Sequence, residues 1–365
     1  MGRRGPPDPQ GVAGPTASQV PASIIIVNYN GWQHLQRCLP SLLQEVQRGY
    51  EIFLVDNASS DGSAQHVAQA FPQVRLIRNT ANLGFAQGGN LGAAQAQGQY
   101  LAFLNPDTVA EPGWLQALLV ALEADPQAGL ATSKVLLLSD PARINTCGNE
   151  MHYTGLTLCR GMGQERCAFP ALEEVSAVSG AAFAVRRELF QALGGFDEDL
   201  FMYMEDTDLS WRARLAGFKC LYVPSSIVWH DYTLRFGPHK TFYQERNRYL
   251  LLLKGLDGRT WLVLWPALLL AEVVTWGFVL LKEPRRAGNK VRAYRWIGSH
   301  WRQIRQKRRH TQALRQVRDR ELLARCAFRL DYAQSGGGPA ARLASWIFDP
   351  LFWAWQRLAL AVMWW

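Results

Sequence analysis

Between Gly194 and Arg212 the chain reads GGFDEDLFMYMEDTDLSWR, with three carboxylates, Glu205, Asp206 and Asp208, directly after Met202, Tyr203 and Met204. A helix N-terminus rewards one or two acids through its free N–H groups and its macrodipole, which explains only part of such a cluster. Apolar bulk pressed against a carboxylate disfavours the charged form and raises its pKa, as a general base at neutral pH requires. The competing reading makes these acids a helix cap with a Glu205–Arg212 surface pair. A further acid, Asp107, lies in Asn105-Pro106-Asp107-Thr108. Pro106 fixes that turn, and the carboxylate either holds a divalent cation against a diphosphate or caps the turn before Glu111-Pro112-Gly113. His230 closes a short apolar run; a lone histidine is more often structural than a ligand, and Asp107 shifts that balance.

These residues need a scaffold. Ser23–Val27 (SIIIV), Glu51–Val55 (EIFLV), Val74–Arg78 and Tyr100–Leu104 (YLAFL) read as short strands, the first two separated by a helix from about Trp32 to Arg48. The β-α-β-α-β order makes an open, mostly parallel sheet flanked by helices the economical α/β fold. Ligands bind such sheets beyond the carboxyl ends of the strands, where Asn28-Tyr29-Asn30-Gly31, Asp56 and Asn105–Thr108 fall. Asn79–Gly92 (NTANLGFAQGGNLG) approaches a helix with few side chains, so its backbone can lie close to phosphates, although it is neither a Walker loop nor G-x-G-x-x-G. Val178–Val185 carries Ser179-Gly180, another point of close approach. Cys220–Val223 and Ser226–His230 read as two short strands. Residues 125–175 read as irregular.

The 365 residues are 48% hydrophobic, enough for a full core. Residues 1–258 hold 20 basic and 24 acidic side chains, residues 259–365 hold 19 and 6, so the charge of the second part is of a different kind. Six cysteines show no C-x-x-C pair and read as free thiols of a reducing cytosol, with a Cys159–Cys167 bridge or metal site as the minor alternative. Residues 1–20 have no signal-peptide core and no myristoylation signal, and their Pro and Gly content reads as a disordered leader.

Trp261–Leu281 is long and apolar enough to cross a bilayer. The Lys282–Arg309 cluster that follows holds eleven basic residues and one acid and belongs on the cytoplasmic side. One crossing would separate it from the preceding domain, so a re-entrant or in-plane helix pair is the expected geometry, with a buried core helix as the alternative. Trp346–Trp365 is a second apolar run with an interface-seeking composition. Residues 259–365 are thus expected to be a helical, basic, Trp-rich region that meets an anionic membrane surface peripherally or monotopically. Nucleic-acid binding is not expected, because it leaves the apolar runs unexplained.

IIIVNYNG, EIFLVDNASSDGS, NTANLGFAQGGNLG, YLAFLNPDT, SGAAFAV, GGFDEDLFMYMEDTDLSWRARLAG and VWH, in that order over about residues 22–255, resemble a bacterial family 2 glycosyltransferase of the rhamnosyltransferase type. The resemblance implies a GT-A fold over 21–258. It implies that Asn28, Tyr29 and Asp56 contact the nucleoside and that Asn82, Gly84, Asn105, Asp107 and Gly180 line the donor site. It further implies that Asp107 and His230 hold a divalent cation, Mg²⁺ or Mn²⁺, and that Asp206, in the Glu205-Asp206 pair, is the catalytic base. Asn105 stands where the family's D-x-D motif has its first acid, so one anionic ligand is missing. The implied activity is inverting transfer of a sugar, on resemblance rhamnose from dTDP-rhamnose, to a glycan or polyprenyl-linked acceptor of cell-surface polysaccharide synthesis at the cytoplasmic face. The alternative is a catalytically inactive GT-A scaffold anchoring a glycan-assembly complex. Sugar nucleotidyltransferases would place a basic Gly-rich loop after the first strand, and processive synthases would carry Q-x-x-R-W; neither is present.

Overall fold

The computed structural model describes residues 20–232, 238–335 and 337–365, so the expected leader lies outside the described residues but for Val20. The first half runs β1 (Ala22–Asn28), α1 (Trp32–Gln47), β2 (Glu51–Asp56), α2 (Ser63–Ala70), β3 (Arg75–Arg78), α3 (Gly84–Gln95), β4 (Tyr100–Leu104), β5 (Thr108–Ala110) and α4 (Trp114–Ala124). The second continues with β6 (Ala128–Leu137), β7 (Ile144–Thr146), β8 (Asn149–Met151), β9 (Thr157–Cys159), β10 (Glu173–Val175), β11 (Ala182–Arg186), α5 (Arg187–Ala192), α6 (Glu205–Leu215) and β12 (Lys219–His230). The C-terminal part is helical: α7 (Lys240–Gly255), α8 (Gly258–Lys282), α9 (Ala287–Ser299), α10 (Trp301–Ala313), α11 (Asp319–Ala324) and α12 (Pro339–Val362).

The main sheet runs β10-β12-β6-β11-β4-β1-β2-β3, with β5 on β12 and β7 on β6. Its β4-β1-β2-β3 side is parallel, as the alternation of strands and helices requires. β11 enters antiparallel between β4 and β6, while β6 and β12 are parallel to each other. The two-residue period of β1 splits its apolar side chains between faces. Ile24 and Ile26 join α1 and α4 in one core, whereas Ile25 and Val27 join Ala86 of α3, Phe190 of α5 and Leu209 of α6 in the other.

Two expectations are corrected here. Residues 125–175 are not irregular throughout, because β6 is a ten-residue strand at the centre of the sheet. Its AGLATSKVLL composition hides it, since Thr132, Ser133 and Lys134 are buried and hydrogen bonded, Lys134 to the carbonyls of Arg166 and Ala168 at 2.9 Å each. The two expected strands around Pro224 are one, β12, with a register shift between Val223 and Ile227 where Pro224 cannot donate to the ladder. All six cysteines are free.

No re-entrant turn interrupts Trp261–Leu281, since α8 is one continuous helix through Pro266. The missing proline N–H leaves a carbonyl unpaired near Leu262, which is 75% exposed, so water or a polar headgroup can satisfy it. One face of α8 is buried: Leu264, Ala267, Leu268 and Ala271 join Trp211 of α6, Leu252 of α7 and Phe352 of α12 in a third core. Glu272, which a membrane reading makes costly, is neutralised inward. It pairs with Arg248 and with Lys290 (3.0 Å), and accepts from the Tyr249 and Tyr294 hydroxyls at 2.5 Å each. Glu272→Ala should therefore cost on the order of 3 kcal/mol in a denaturant unfolding curve, the low end for breaking a buried ion pair, because Glu245 remains beside both cations.

Candidate active site

The carboxyl ends of β1 and β2 lie in register, Asn28 opposite Asp56. Asn28 Nδ2 donates to Asp56 Oδ1 at 3.0 Å and lies within reach of the Ser59 and Ser63 hydroxyls (3.1 and 2.9 Å); the second Asp56 oxygen accepts from Ser59 N–H at 3.1 Å. Asn28 Oδ1 is buried without a hydrogen-bond partner, and Tyr29 beside it is 52% exposed. Two hydrogen-bonded polar side chains and one exposed ring thus stand at the carboxyl ends of the strands, where such sheets bind ligands.

The Asn82–Gly84 turn closes on itself through Gly84 N–H to Asn82 Oδ1 (2.9 Å), and Asn57 Nδ2 ties the Gly84 carbonyl at 3.0 Å. Gly84 has φ +75°, and a Cβ there would stand 2.3 Å from the Phe201 carbonyl oxygen. Only glycine permits this approach, which joins the turn to the segment that delivers the acidic cluster.

That segment is strained. Phe201, Tyr203 and Met204 all have positive φ (61°, 67° and 67°), and Glu205 opens α6 directly afterwards. Asn247 of α7 reaches into it, its Nδ2 lying 3.0, 3.0 and 2.7 Å from the carbonyls of Leu200, Met202 and Tyr203, and Arg246 donates to the Leu200 carbonyl at 2.9 Å. Every residue of α6 is buried. Arg212 pairs with Asp208 at 2.8 Å rather than forming a surface pair with Glu205, and Lys254 reaches the other Asp208 oxygen at 2.8 Å, so the third carboxylate is structural.

Asp206 and Glu205 are treated differently. Asp206 Oδ2 accepts from Gly180 N–H (2.6 Å) and Asn149 Nδ2 (3.0 Å), and Oδ1 from Thr207 N–H (2.6 Å). Burial raises its carboxyl above the ordinary range, while these donors work against that and stabilise the anion. Glu205 Oε2 is buried with no hydrogen-bond partner, and burial, with the neighbouring Asp206 charge, pushes its carboxyl up to about 8. At neutral pH the adjacent acids therefore hold one proton between them, mostly on Glu205.

The remaining pair sits where β4 and β12 end. His230 Nε2 lies 3.2 Å from Asp107 Oδ1, and His230 Nδ1 is 2.9 Å from Asn145 Oδ1. In the Nδ1–H tautomer Asn145 accepts that proton and the Nε2 lone pair faces the carboxylate, whereas protonated Nε2 would face it with an N–H. Burial raises the Asp107 carboxyl, but a protonated His230, with His34 further off, outweighs it and holds it below the usual range. Asp107 Oδ1 is shielded from solvent without hydrogen-bond geometry to any donor among the described residues. An unsatisfied carboxylate oxygen facing an imidazole lone pair fits a divalent cation. Among the described residues no three His, Cys, Asp or Glu side chains gather in such a group, so diphosphate oxygens and water would complete the shell. Asn105, in place of an acid, uses its backbone N–H on the Ala181 carbonyl at 3.0 Å.

A family model described as glycosyl transferase family 2 matches residues 23–194. Over 237 residues the chain is 34% identical to the N-acetylglucosaminyl-diphospho-decaprenol L-rhamnosyltransferase of Mycobacterium tuberculosis, across 57% of this chain and 75% of that protein. The chain belongs to glycosyl transferase family 2. Among solved structures, this glycosyltransferase resembles GalNAc-T7 bound to UDP, GalNAc and Mn²⁺ (TM-score 0.55, 21% identity, 67% of this chain and 49% of that one). It also resembles S. aureus TarS 1–349 in complex with UDP (TM-score 0.51, 14% identity, 92% and 90%). At these identities the likeness concerns the fold, which is GT-A-like.

Sequence reasoning missed Asn145, Asn149, Arg246 and Asn247. The available signal was weak: Arg246 and Asn247 are charged or polar positions buried on α7, and nothing in the QERNRY stretch marks which face turns inward. Glu205 offers a test. Between its ordinary value of 4.5 and about 8, the folded protein holds a proton that the unfolded chain has released, so stability falls as pH rises through that window. Glu205→Gln should remove much of that decline, so the urea midpoint of the variant should gain on the wild type steadily from pH 5 to pH 8.

Proposed function

We propose that this glycosyltransferase inverts the anomeric centre of a sugar carried on a nucleoside diphosphate and places it on a polyprenyl-linked glycan at the cytoplasmic membrane face. The observation that carries the reading is the pair of consecutive residues Gly180 and Ala181. The Gly180 N–H binds Asp206 Oδ2, and the Ala181 carbonyl binds Asn105 N–H, two residues before Asp107. That one short backbone segment is tied both to Asp206 and to the turn carrying Asp107 supports displacement at a carbon between an acceptor hydroxyl and a diphosphate.

Asp206 takes the acceptor hydroxyl proton as the new C–O bond forms, and protonated Glu205 keeps a second negative charge away from the incoming oxygen. Asn149, the Gly180 N–H and Thr207 orient the base. Asn28, Tyr29 and Asp56 bind the nucleoside, with Asp56 accepting from a pyrimidine ring N–H, while the Asn82–Gly84 turn and Asn105 line the sugar and phosphate side. Asp107 and His230 hold Mg²⁺ or Mn²⁺, which when bound neutralises charge gathering on the departing diphosphate. The resemblance and the named substrate of the mycobacterial relative favour rhamnose from dTDP-rhamnose and a diphospho-polyprenol acceptor. Outward residues support membrane attachment: Leu262, Trp265, Leu269, Val273 and Leu280 form one stripe of α8, and Trp346, Trp353 and Trp364 are exposed at the C-terminal end.

Release of nucleoside diphosphate from a panel of nucleotide sugars, with a lipid-linked acceptor and with Mg²⁺, Mn²⁺ or chelator, tests the reading. One donor should be consumed, and only with metal; Asp206→Asn should lower turnover by about 10²- to 10⁴-fold while donor binding survives. Bound donor without turnover on any acceptor would favour the inactive scaffold. Flotation with vesicles should show retention on anionic but not on neutral lipid, and Trp265→Glu with Leu269→Glu should weaken it at least tenfold.

A further inference from the structure

A groove of about 430 Å³ opens between α7, α8, α9 and the start of α10. Aromatic side chains dominate its walls: Tyr249, Trp261, Trp276, Tyr294 and Trp301, with Ile297 among them. Glu272 lies at its floor, but its charge is taken up by Arg248, Lys290 and two tyrosine hydroxyls, so the groove presents an apolar, aromatic surface.

Two continuities say what fits there. On α8, Trp261 lies four residues before exposed Trp265, and Trp276 lies four residues before exposed Leu280; such pairs are neighbours on a helix surface, so the groove runs into the outward apolar stripe. On α7, a ladder of rings and one cation leads the other way. Tyr243 stacks on Phe201 at 5.3 Å, Arg246 lies over Tyr243 (5.1 Å) and Trp296 (4.8 Å), and Tyr249 meets Tyr294 at 6.0 Å. Tyr243 and Tyr249 are about 9 Å apart along the axis, so the groove starts roughly two helical turns from the segment that carries Glu205 and Asp206. Arg285, Arg292, Arg295, Arg302 and Arg305 are exposed on or just before α9 and α10, the helices that supply Tyr294, Ile297 and Trp301 to the groove. A ligand that spans these features has an apolar chain and a strongly anionic head.

We infer that the groove holds the first isoprene units of a polyprenyl diphosphate acceptor, guiding the chain from the bilayer to the catalytic end of α7. This rests on the transfer reading above. A groove of this size holds a short stretch of the chain, taken as about three isoprene units, and the remaining chain stays in lipid.

The test irradiates the full chain, in nanodiscs containing phosphatidylglycerol, with an isoprenoid diphosphate whose third isoprene is replaced by a benzophenone, and maps the labelled peptides. Label should concentrate in residues 261–276 and 294–301, resist excess phosphatidylglycerol, and fall at least tenfold in Ile297→Trp, which fills the groove. Label spread along α12, or displaced equally by phospholipid, overturns the inference on wild-type protein alone. With glycosyl diphosphate acceptors, KM should fall at least tenfold from one to three isoprene units and change little beyond three, and Ile297→Trp should erase that difference. Transfer indifferent to chain length overturns the groove and leaves the activity standing. Groove labelling without transfer to any acceptor would sink the activity and keep the site.

Discussion

The site depends on a strained connection held from behind. Phe201, Tyr203 and Met204 sit in the left-handed region that side chains other than glycine avoid, at a cost of about 1–3 kcal/mol each. Such a path persists only if its surroundings over-determine it. Gly84 lets the Asn82–Gly84 turn touch the Phe201 carbonyl, and Asn247 draws together the carbonyls of Leu200, Met202 and Tyr203. The reward is positional. The reversal ends at Glu205, and the next residue, Asp206, accepts from the Gly180 N–H at 2.6 Å.

The same requirement explains much of the charge in the C-terminal region. Asp197 and Asp199, just upstream, are matched by Lys254 of α7 and Lys307 of α10, and both cations draw the Asp197 carboxyl well below the usual range against the effect of burial. Lys290 and Arg315 likewise turn inward, to Glu272 and to Asp319 at 2.6 Å. Basic residues that composition assigns to an anionic surface are therefore of two kinds. One set clamps the segment before Glu205 to the helical region, and the other lies on the exposed faces of α9 and α10. Because Leu264, Ala267 and Phe352 share a core with Trp211 of α6, the helical region is part of the scaffold of the site rather than an appendage.

The parallel half of the sheet was legible because β1, β2 and β4 are continuous apolar runs ending in polar turns, and those turns carry Asn28, Asp56 and Asp107 where such folds bind ligands. β6 was not legible, since a central strand that buries Thr132, Ser133 and Lys134 breaks the apolar signal, and its partners for those groups come from distant chain. The Glu205-Asp206 pair stood out by density and Asp107 by its turn. Asn145 and Asn149 had no comparable mark: an asparagine's meaning lies in whom it touches, and each touches a residue more than fifty positions away. Asp208 shows the converse error, since it looks like a member of the acidic cluster and is an ion-pair partner of Arg212 and Lys254.

Two adjacent acids in one buried helix turn cannot both ionise without opposing each other, and the fold resolves this by an unequal supply of donors. Asp206 receives N–H groups from three segments, whereas one Glu205 oxygen receives none. The proton therefore settles on Glu205 and the charge on Asp206, next to the backbone that also reaches Asn105. Had the donors favoured Glu205 instead, the charge would rest one residue earlier, directly after the Met204 turn. Which acid of the pair carries the negative charge is thus decided less by the acids themselves than by Gly180, Asn149 and Thr207, the neutral groups that donate to Asp206.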